Sequence, residues 1–318
     1  MKTYNKPILT RKDIPDIPGV ITNAASVFNP GAVRFNDEYL LALRVQKRSR
    51  ETVIMLARSK NGIDFQVDKK VIEFSGIEKV KEKIYHCYDP RLTKIDDAFY
   101  LMFAMDMDGK CSLGLAKTLN FEKFNFLGIV ADGDVRNGVL FPEKINGKFM
   151  RFERPNRAAL ENGTVSGNSI VLSESDDLLK WTEVGVLMSG RFHYWDERIG
   201  SGPPPVKTEK GWLHIYHGIA EHFGAASIYQ GGAVLLDLKN PLKIISRSMN
   251  NFIEPREIWE MAGQVPNVVF PSGMIVEEYD EKGFAKLDSH VKIYYGAADT
   301  VVGLAETTIS ELIEFCYD

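Results

Sequence analysis

Eleven polar or aromatic side chains stand out by type and by their place near the starts of apolar runs. They are Asn29 and Arg44, then Tyr88 and Asp89, then Arg136, Asn137 and Arg154, then Arg198 and His217, and finally Tyr295 and Asp299. Arg91, Ser272 and the run Gly-Ser-Gly-Pro-Pro-Pro from Gly200 lie among them. Arginines dominate the set. The planar guanidinium fork suits phosphate or carboxylate, so a cluster of them in a chain of net charge -4 points to an anionic ligand. Any one of these arginines is more often a surface or salt-bridge residue. Only their shared position in successive repeats makes a site of them. His217 reads equally well as a buried, hydrogen-bonded histidine. Asp89 precedes a proline and Asp299 follows Gly-Ala-Ala, and both are ordinary turn chemistry. Among the aromatics, Tyr88 and Tyr295 are the two singled out to stack on a ring-shaped ligand.

Those positions recur because the chain repeats. A proline, a short polar turn and an apolar run return five times, at Pro30, Pro90, Pro142, Pro204 and Pro271. A second apolar element follows each, aligned on Ala57, Ala116, Leu172, Leu236 and Ala305. Both markers keep a period of about 60 residues, the sequence signature of a repeat architecture. The apolar runs are of strand length, rich in Val, Ile, Leu, Phe and Tyr, and broken by turns such as Asn146-Gly147. Helical periodicity is confined to short stretches near Ile77–Lys83 and Glu254–Met261. Four short antiparallel strands per unit, five times over, predict an all-β, five-bladed β-propeller occupying residues 1–318 as one domain. In such a fold the first strand of each blade lines a central channel, so the eleven side chains converge on one funnel.

Bulk composition narrows the function. With 39 Lys plus Arg against 43 Asp plus Glu and no long charge run, nucleic acid and anionic membranes find no basic surface. No stretch of about 20 apolar residues reads as a membrane span. Cys87, Cys111 and Cys316 are odd in number and share no metal spacing, which fits a reducing, cytoplasmic setting. The histidines show no ligand pairs, so neither a metal nor an organic cofactor is expected.

Several segments resemble glycoside hydrolase family 130, the inverting β-mannoside phosphorylases and related hydrolases. They are FNPGA at Phe28–Ala32, YDPR at Tyr88–Arg91, RNGVLFPEKI at Arg136–Ile145, RFERP at Arg151–Pro155, RIGSGPPP at Arg198–Pro205, WLHIYHG at Trp212–Gly218 and YYGAAD at Tyr294–Asp299. The resemblance implies a five-bladed propeller acting on a β-mannoside. Inorganic phosphate is the co-substrate, and the products are α-mannose 1-phosphate and a shortened acceptor. It implies Asp89 as general acid, working through the mannosyl 3-hydroxyl. It implies a phosphate site at Arg136, Arg154, Arg198 and His217, and sugar contacts at Asn29, Arg44, Tyr88, Asn137 and Asp299. Two positions depart from the family pattern: Glu153 stands where many relatives have His, and Arg198 where Lys is frequent.

The chemistry is consistent with that reading. An inverting hydrolase needs an acid and a base about 6.5–9.5 Å apart. A phosphorylase needs the acid and a set of cations that hold an already anionic nucleophile. One acid among several basic residues fits phosphorolysis, and Glu153 is the single feature that hints at a hydrolytic base. A hydrolase and a non-catalytic sugar-binding propeller are the competing classes. The linkage, β-1,4 or β-1,2, and the acceptor stay open, as does a homo-oligomer whose neighbouring subunit closes the acceptor end.

Overall fold

The computed structural model describes residues 1–131, 133–159, 165–222 and 226–318. Five sheets of four or five strands stand around a common axis, antiparallel except for the parallel outer strand Phe74–Ser75 of the second, with one extra two-stranded ribbon. The innermost strands are β1 (Ser26–Phe35), β2 (Ile84–Ile95), β3 (Val135–Leu140), β4 (Arg198–Ser201) and β5 (Val269–Val276). Each sheet continues outward from one of them, so the fold is the five-bladed β-propeller that the period predicts.

The second strand of each blade is largely buried on both faces and in most blades reads as a near-continuous apolar run; in the third blade, Phe149–Pro155, charged Arg151, Glu153 and Arg154 interrupt it. In Glu38–Gln46 the alternation of side chains sends Leu41, Leu43 and Val45 toward the fifth blade. It sends Leu40 and Ala42 toward the second blade. Comparable apolar layers separate each further pair of blades. Each fully buried Leu or Phe contributes about 1.5–3 kcal/mol by leaving water. Ala57, Ala116, Leu172, Leu236 and Ala305 all fall on third strands, opposite Leu41, Leu101, Phe152, Trp212 and Ile293. That marker kept register throughout.

The last blade is completed by the beginning of the chain. Lys2–Thr3 pairs antiparallel with Val301–Thr308, and Leu9 bridges to Val302. Ring closure thus depends on backbone hydrogen bonds between the two ends. Of the two short helical stretches expected, Ile77–Lys79 forms a 3-10 turn and Ile258–Met261 a single α-turn. The segment after Val301–Thr308 differs from expectation. It breaks into a helix, Ile309–Phe315, capped by the Thr308 hydroxyl accepting from the Glu311 amide.

Candidate active site

Three innermost strands carry the same irregularity at the same place. Pairing slips between Phe28 and Gly31, between Tyr88 and Arg91, and between Arg136 and Val139. Two residues there face one on the neighbouring strand, a β-bulge. The first bulge residue adopts positive φ: Asn29 at 46°, Asp89 at 50° and Asn137 at 53°. Asn and Asp tolerate that conformation better than other residues with a Cβ. The bulge turns these three polar side chains toward the axis, so backbone form and functional residue type are one requirement. Pro30 and Pro90 are the second bulge residues, and Gly138 takes that place in the third blade. Pro142 and Pro204 do not match them. They line a separate cavity with Ala32, Leu92 and Met274, at the opposite mouth of the channel.

The bulges open onto a cavity of about 380 Å³. Its walls include Asn29, Arg44, Tyr88, Asp89, Arg136, Asn137, Arg154, His217 and Asp299. Asp89 Oδ1 accepts from Asn29 Nδ2 at 2.9 Å and from Arg44 at 2.8 Å. Arg44 is itself held between the rings of Phe28 and Tyr88, at 4.4 and 4.7 Å. Burial would raise the Asp89 carboxyl, but Arg44, Arg91 and the Asn29 hydrogen bond outweigh it and hold it below the usual carboxylate range. Asp299 is pushed the other way, up to about 6, by burial and by the charge of Asp89. Two carboxyls in one cavity are thus driven apart, the pattern that separates a charged from a proton-bearing group.

Cations gather on the third and fourth blades. Arg136 and Arg154 pair across adjacent strands. Burial lowers Arg154 to about 10, so it keeps its charge at neutral pH. His217 is driven well below the ordinary histidine range by burial and by Arg154, Arg91 and Arg198, and it stays neutral. Its ring packs on Phe270 at 4.4 Å and Tyr229 at 6.1 Å. Gly200 is required beside it: a Cβ there would meet His217 Cε1 at 2.5 Å and Asn137 Oδ1 at 2.7 Å. Two permanent cations and one neutral imidazole can hold a small oxyanion.

The structure separates some residues that the sequence grouped. Arg198 stands near Arg154 and His217 electrostatically but does not line the cavity. It pairs with Glu221 and donates to Ser166 Oγ at 3.2 Å. Tyr295 is not in the cavity. Its fully buried ring belongs to the core between blades four and five, and its hydroxyl donates to Glu260 at 2.7 Å. Strand alternation turns it away, and Tyr229 from the third strand of blade four supplies an aromatic wall instead. Glu153 also points away from the channel. Arg154 faces the cavity, so its neighbour must face the other side. There Glu153 pairs with Arg151 at 2.6 Å and accepts from Ser173 Oγ at 2.6 Å. It cannot serve as a hydrolytic base at this site. His86, Asp106 and Tyr229 line the cavity and were not found from the sequence. The period-2 step from Tyr88 to His86 was the signal available for the first.

Among the described residues, no group of three or more His, Cys, Asp or Glu is placed to hold a metal ion, and no helix is long and apolar enough to cross a membrane.

The family described as beta-1,4-mannooligosaccharide phosphorylase, glycoside hydrolase family 130, matches residues 2–318. A beta-1,4-mannooligosaccharide phosphorylase of Ruminococcus albus is 31% identical over 316 residues, covering 97% of this chain and 88% of the relative. A 1,2-beta-oligomannan phosphorylase of Thermoanaerobacter sp. is 33% identical over 293 residues, covering 88% of this chain and 89% of the relative. The solved structure of a beta-1,2-mannobiose phosphorylase from Listeria innocua, in complex with beta-1,2-mannobiose, superposes with a TM-score of 0.84 at 26% identity. That match covers 99% of this chain and 98% of the other.

Proposed function

The chain belongs to glycoside hydrolase family 130, and we propose that it works there as an inverting β-mannoside phosphorylase. The substrate is a β-1,4-mannosyl disaccharide or mannooligosaccharide, a class that includes mannosyl-N-acetylglucosamine and mannosyl-glucose. Inorganic phosphate is the co-substrate, and the products are α-D-mannose 1-phosphate and the shortened acceptor. The observation that carries this reading is the pairing of one half-buried, hydrogen-bonded carboxylate, Asp89, with the buried Arg154, the more exposed Arg136 and a neutral histidine in one cavity.

Each group has a role in that reaction. Arg136 and Arg154 hold the phosphate, offset its desolvation and shield it from Asp89. His217, being neutral, donates one hydrogen bond without adding charge. Arg198 adds a further cation at the edge of this cluster. Phosphate oxygen attacks the anomeric carbon from the face opposite the leaving group, and the glycosidic C–O bond breaks with inversion. Asp89 delivers its proton through the mannosyl 3-hydroxyl to the departing oxygen. Asn29 and Arg44 aim Asp89, Tyr88 backs Arg44, and Asn137 and Asp299 take sugar hydroxyls. The low proton affinity of Asp89 works against an acid role in the free protein, so substrate binding must raise it. Bound phosphate neutralises the nearby cations, the sugar excludes water, and both changes favour the protonated acid.

Phosphorolysis is favoured over hydrolysis by what faces the sugar's far side. A hydrolytic base must stand across the ring from the acid. In this reading Arg154 and His217 face that region, while the other two cavity carboxyls stand on the acid's side: Asp299 interacts with Arg44 and Asp89, and Asp106 is on the strand next to that of Asp89. The β-1,4 assignment follows the family description and the Ruminococcus albus relative. Relatives named for β-1,2 linkages are equally similar, which makes linkage the matter for experiment.

The test incubates β-1,4-mannobiose, mannosyl-N-acetylglucosamine, mannosyl-glucose and β-1,2-mannobiose with and without phosphate, following mannose 1-phosphate. Turnover that requires phosphate and prefers the β-1,4 compounds is expected. Mannose release indifferent to phosphate makes the protein a hydrolase. Preference for β-1,2-mannobiose moves the linkage.

A further inference from the structure

His86, Asp106 and Thr52 form a constellation that the reaction above does not use. His86 and Asp106 line the cavity from the second blade, on neighbouring strands. The set has the residue types of a nucleophilic triad, but its hydroxyl is spent. Thr52 Oγ1 donates to the Cys87 carbonyl at 2.6 Å, and Thr52 is buried. Its one hydrogen is therefore committed, and the 2.8 Å contact with His86 Nδ1 must be a bond that His86 donates. This fixes the neutral tautomer. Nδ1 carries the proton, and Nε2 turns a lone pair toward the cavity, 3.4 Å from Asp106 Oδ2. Burial holds His86 below the ordinary histidine range, against the pull of Asp106.

The consequence is a pair of hydrogen-bond acceptors, side by side, with no donor between them. Such a pair repels an anion and takes hydroxyl donors. It also sits three residues before Asp89 on the same innermost strand, with the His86 ring 5.3 Å from Tyr88. The phosphate cluster lies on other blades. In an inverting displacement the nucleophile and the leaving group occupy opposite faces of the sugar, and the leaving group departs on the acid's side. We propose that His86 Nε2 and the Asp106 carboxylate accept hydrogen bonds from two neighbouring hydroxyls of the acceptor sugar and so set acceptor preference. The inference rests on the phosphorylase reading.

The synthetic direction tests it. Wild type, His86→Ala and Asp106→Asn are assayed with α-mannose 1-phosphate and a series of acceptors, including mono-deoxy analogues. Each variant should raise the KM for the full acceptor about tenfold, the usual effect of one lost hydrogen bond to a site built for it. The KM for α-mannose 1-phosphate should stay within about twofold, since the mannosyl and phosphate contacts lie elsewhere. One deoxy analogue should be a poor acceptor for wild type, yet lose little more in the variants, because the bond is already gone. Asp106 is nearly half exposed, so Asp106→Asn keeps the measurement available should His86→Ala fail to fold. Equal loss in both constants, or deoxy penalties unchanged in the variants, overturns the proposal. Absence of phosphate-dependent mannoside turnover in wild type instead overturns the parent reading.

Discussion

At the scale of single residues, the site works by giving like groups unlike surroundings. Arg154 and Arg198 are both cations of blades three and four, but only Arg154 lines the cavity, while Arg198 is engaged by Glu221. A charge-assisted hydrogen bond contributes roughly 1.5–3 kcal/mol. Arg154→Met should therefore raise the KM for phosphate about 10–100-fold with little change for the mannoside. Arg198→Met should raise it less, because its partner must first be displaced. Steady-state kinetics with each substrate varied checks both, and equal effects would make Arg198 a full phosphate ligand. The carboxyls differ in the same way. Asp299 is raised to about 6 in the folded protein, so its contribution is intact below the ordinary carboxyl value and is lost as pH rises through 6. Asp299→Asn should leave the melting temperature unchanged near pH 4. It should stabilise the protein near pH 8 by on the order of 1–3 kcal/mol. No gain at pH 8 would mean that Asp299 ionises without penalty. Some of this was legible beforehand. Asn29, Asp89 and Asn137 were legible because the bulge conformation favours Asn and Asp, whereas Arg136 stood out by its charge at the start of a repeat. Tyr295 misled because an aromatic beside a functional turn looks the same in sequence whether it faces the channel or the core. Glu153 misled only while its parity with Arg154 was ignored.

At the scale of elements, the bulge sets both the aim and the cost of the site. The fivefold period was readable because most second and third strands are buried on both faces and are therefore mainly apolar. The register of the innermost strands was less readable. Pro142 and Pro204 imitate Pro30 and Pro90 in composition, yet the bulge of blade three is Asn137-Gly138, a few residues earlier. A left-handed residue with a Cβ costs roughly 1–2 kcal/mol, less for Asn. Asn29→Ala and Asn29→Gly both delete the bond to Asp89, but only Gly relaxes the backbone at φ 46°. The Gly variant should melt higher than the Ala variant by a stability difference of about 1 kcal/mol. Activity should fall to the same extent in both, since each leaves Asp89 without that donor. Paired thermal unfolding and phosphorolysis assays separate the two terms. Equal melting temperatures would show that the bulge stores no strain at Asn29.

At the scale of the whole molecule, the site exists only while the ring is closed, because its walls come from every blade. Closure rests on Lys2–Thr3 against Val301–Thr308, with Leu9 buried in the layer between the fifth and first blades. Leu9 does not line the cavity, so stability and chemistry can be separated there. Leu9→Ala removes a fully buried side chain and should cost about 2–5 kcal/mol. In a chain of 318 residues each kcal/mol moves the melting temperature by roughly 1.5 °C. The variant should melt well below wild type, yet at 25 °C, while still folded, its KM values for phosphate and mannoside should match wild type. A propeller that opened progressively would behave otherwise. Loosening the seam would let blades one and five drift, and Asn29, Arg44 and Asp299 would lose their fixed distances to Arg154 and His217. Both constants would then rise well before unfolding. Kinetics at several temperatures below the transition decide between a seam that fails all at once and one that yields by degrees. A mannoside KM that climbs with temperature in Leu9→Ala but not in wild type would establish the second.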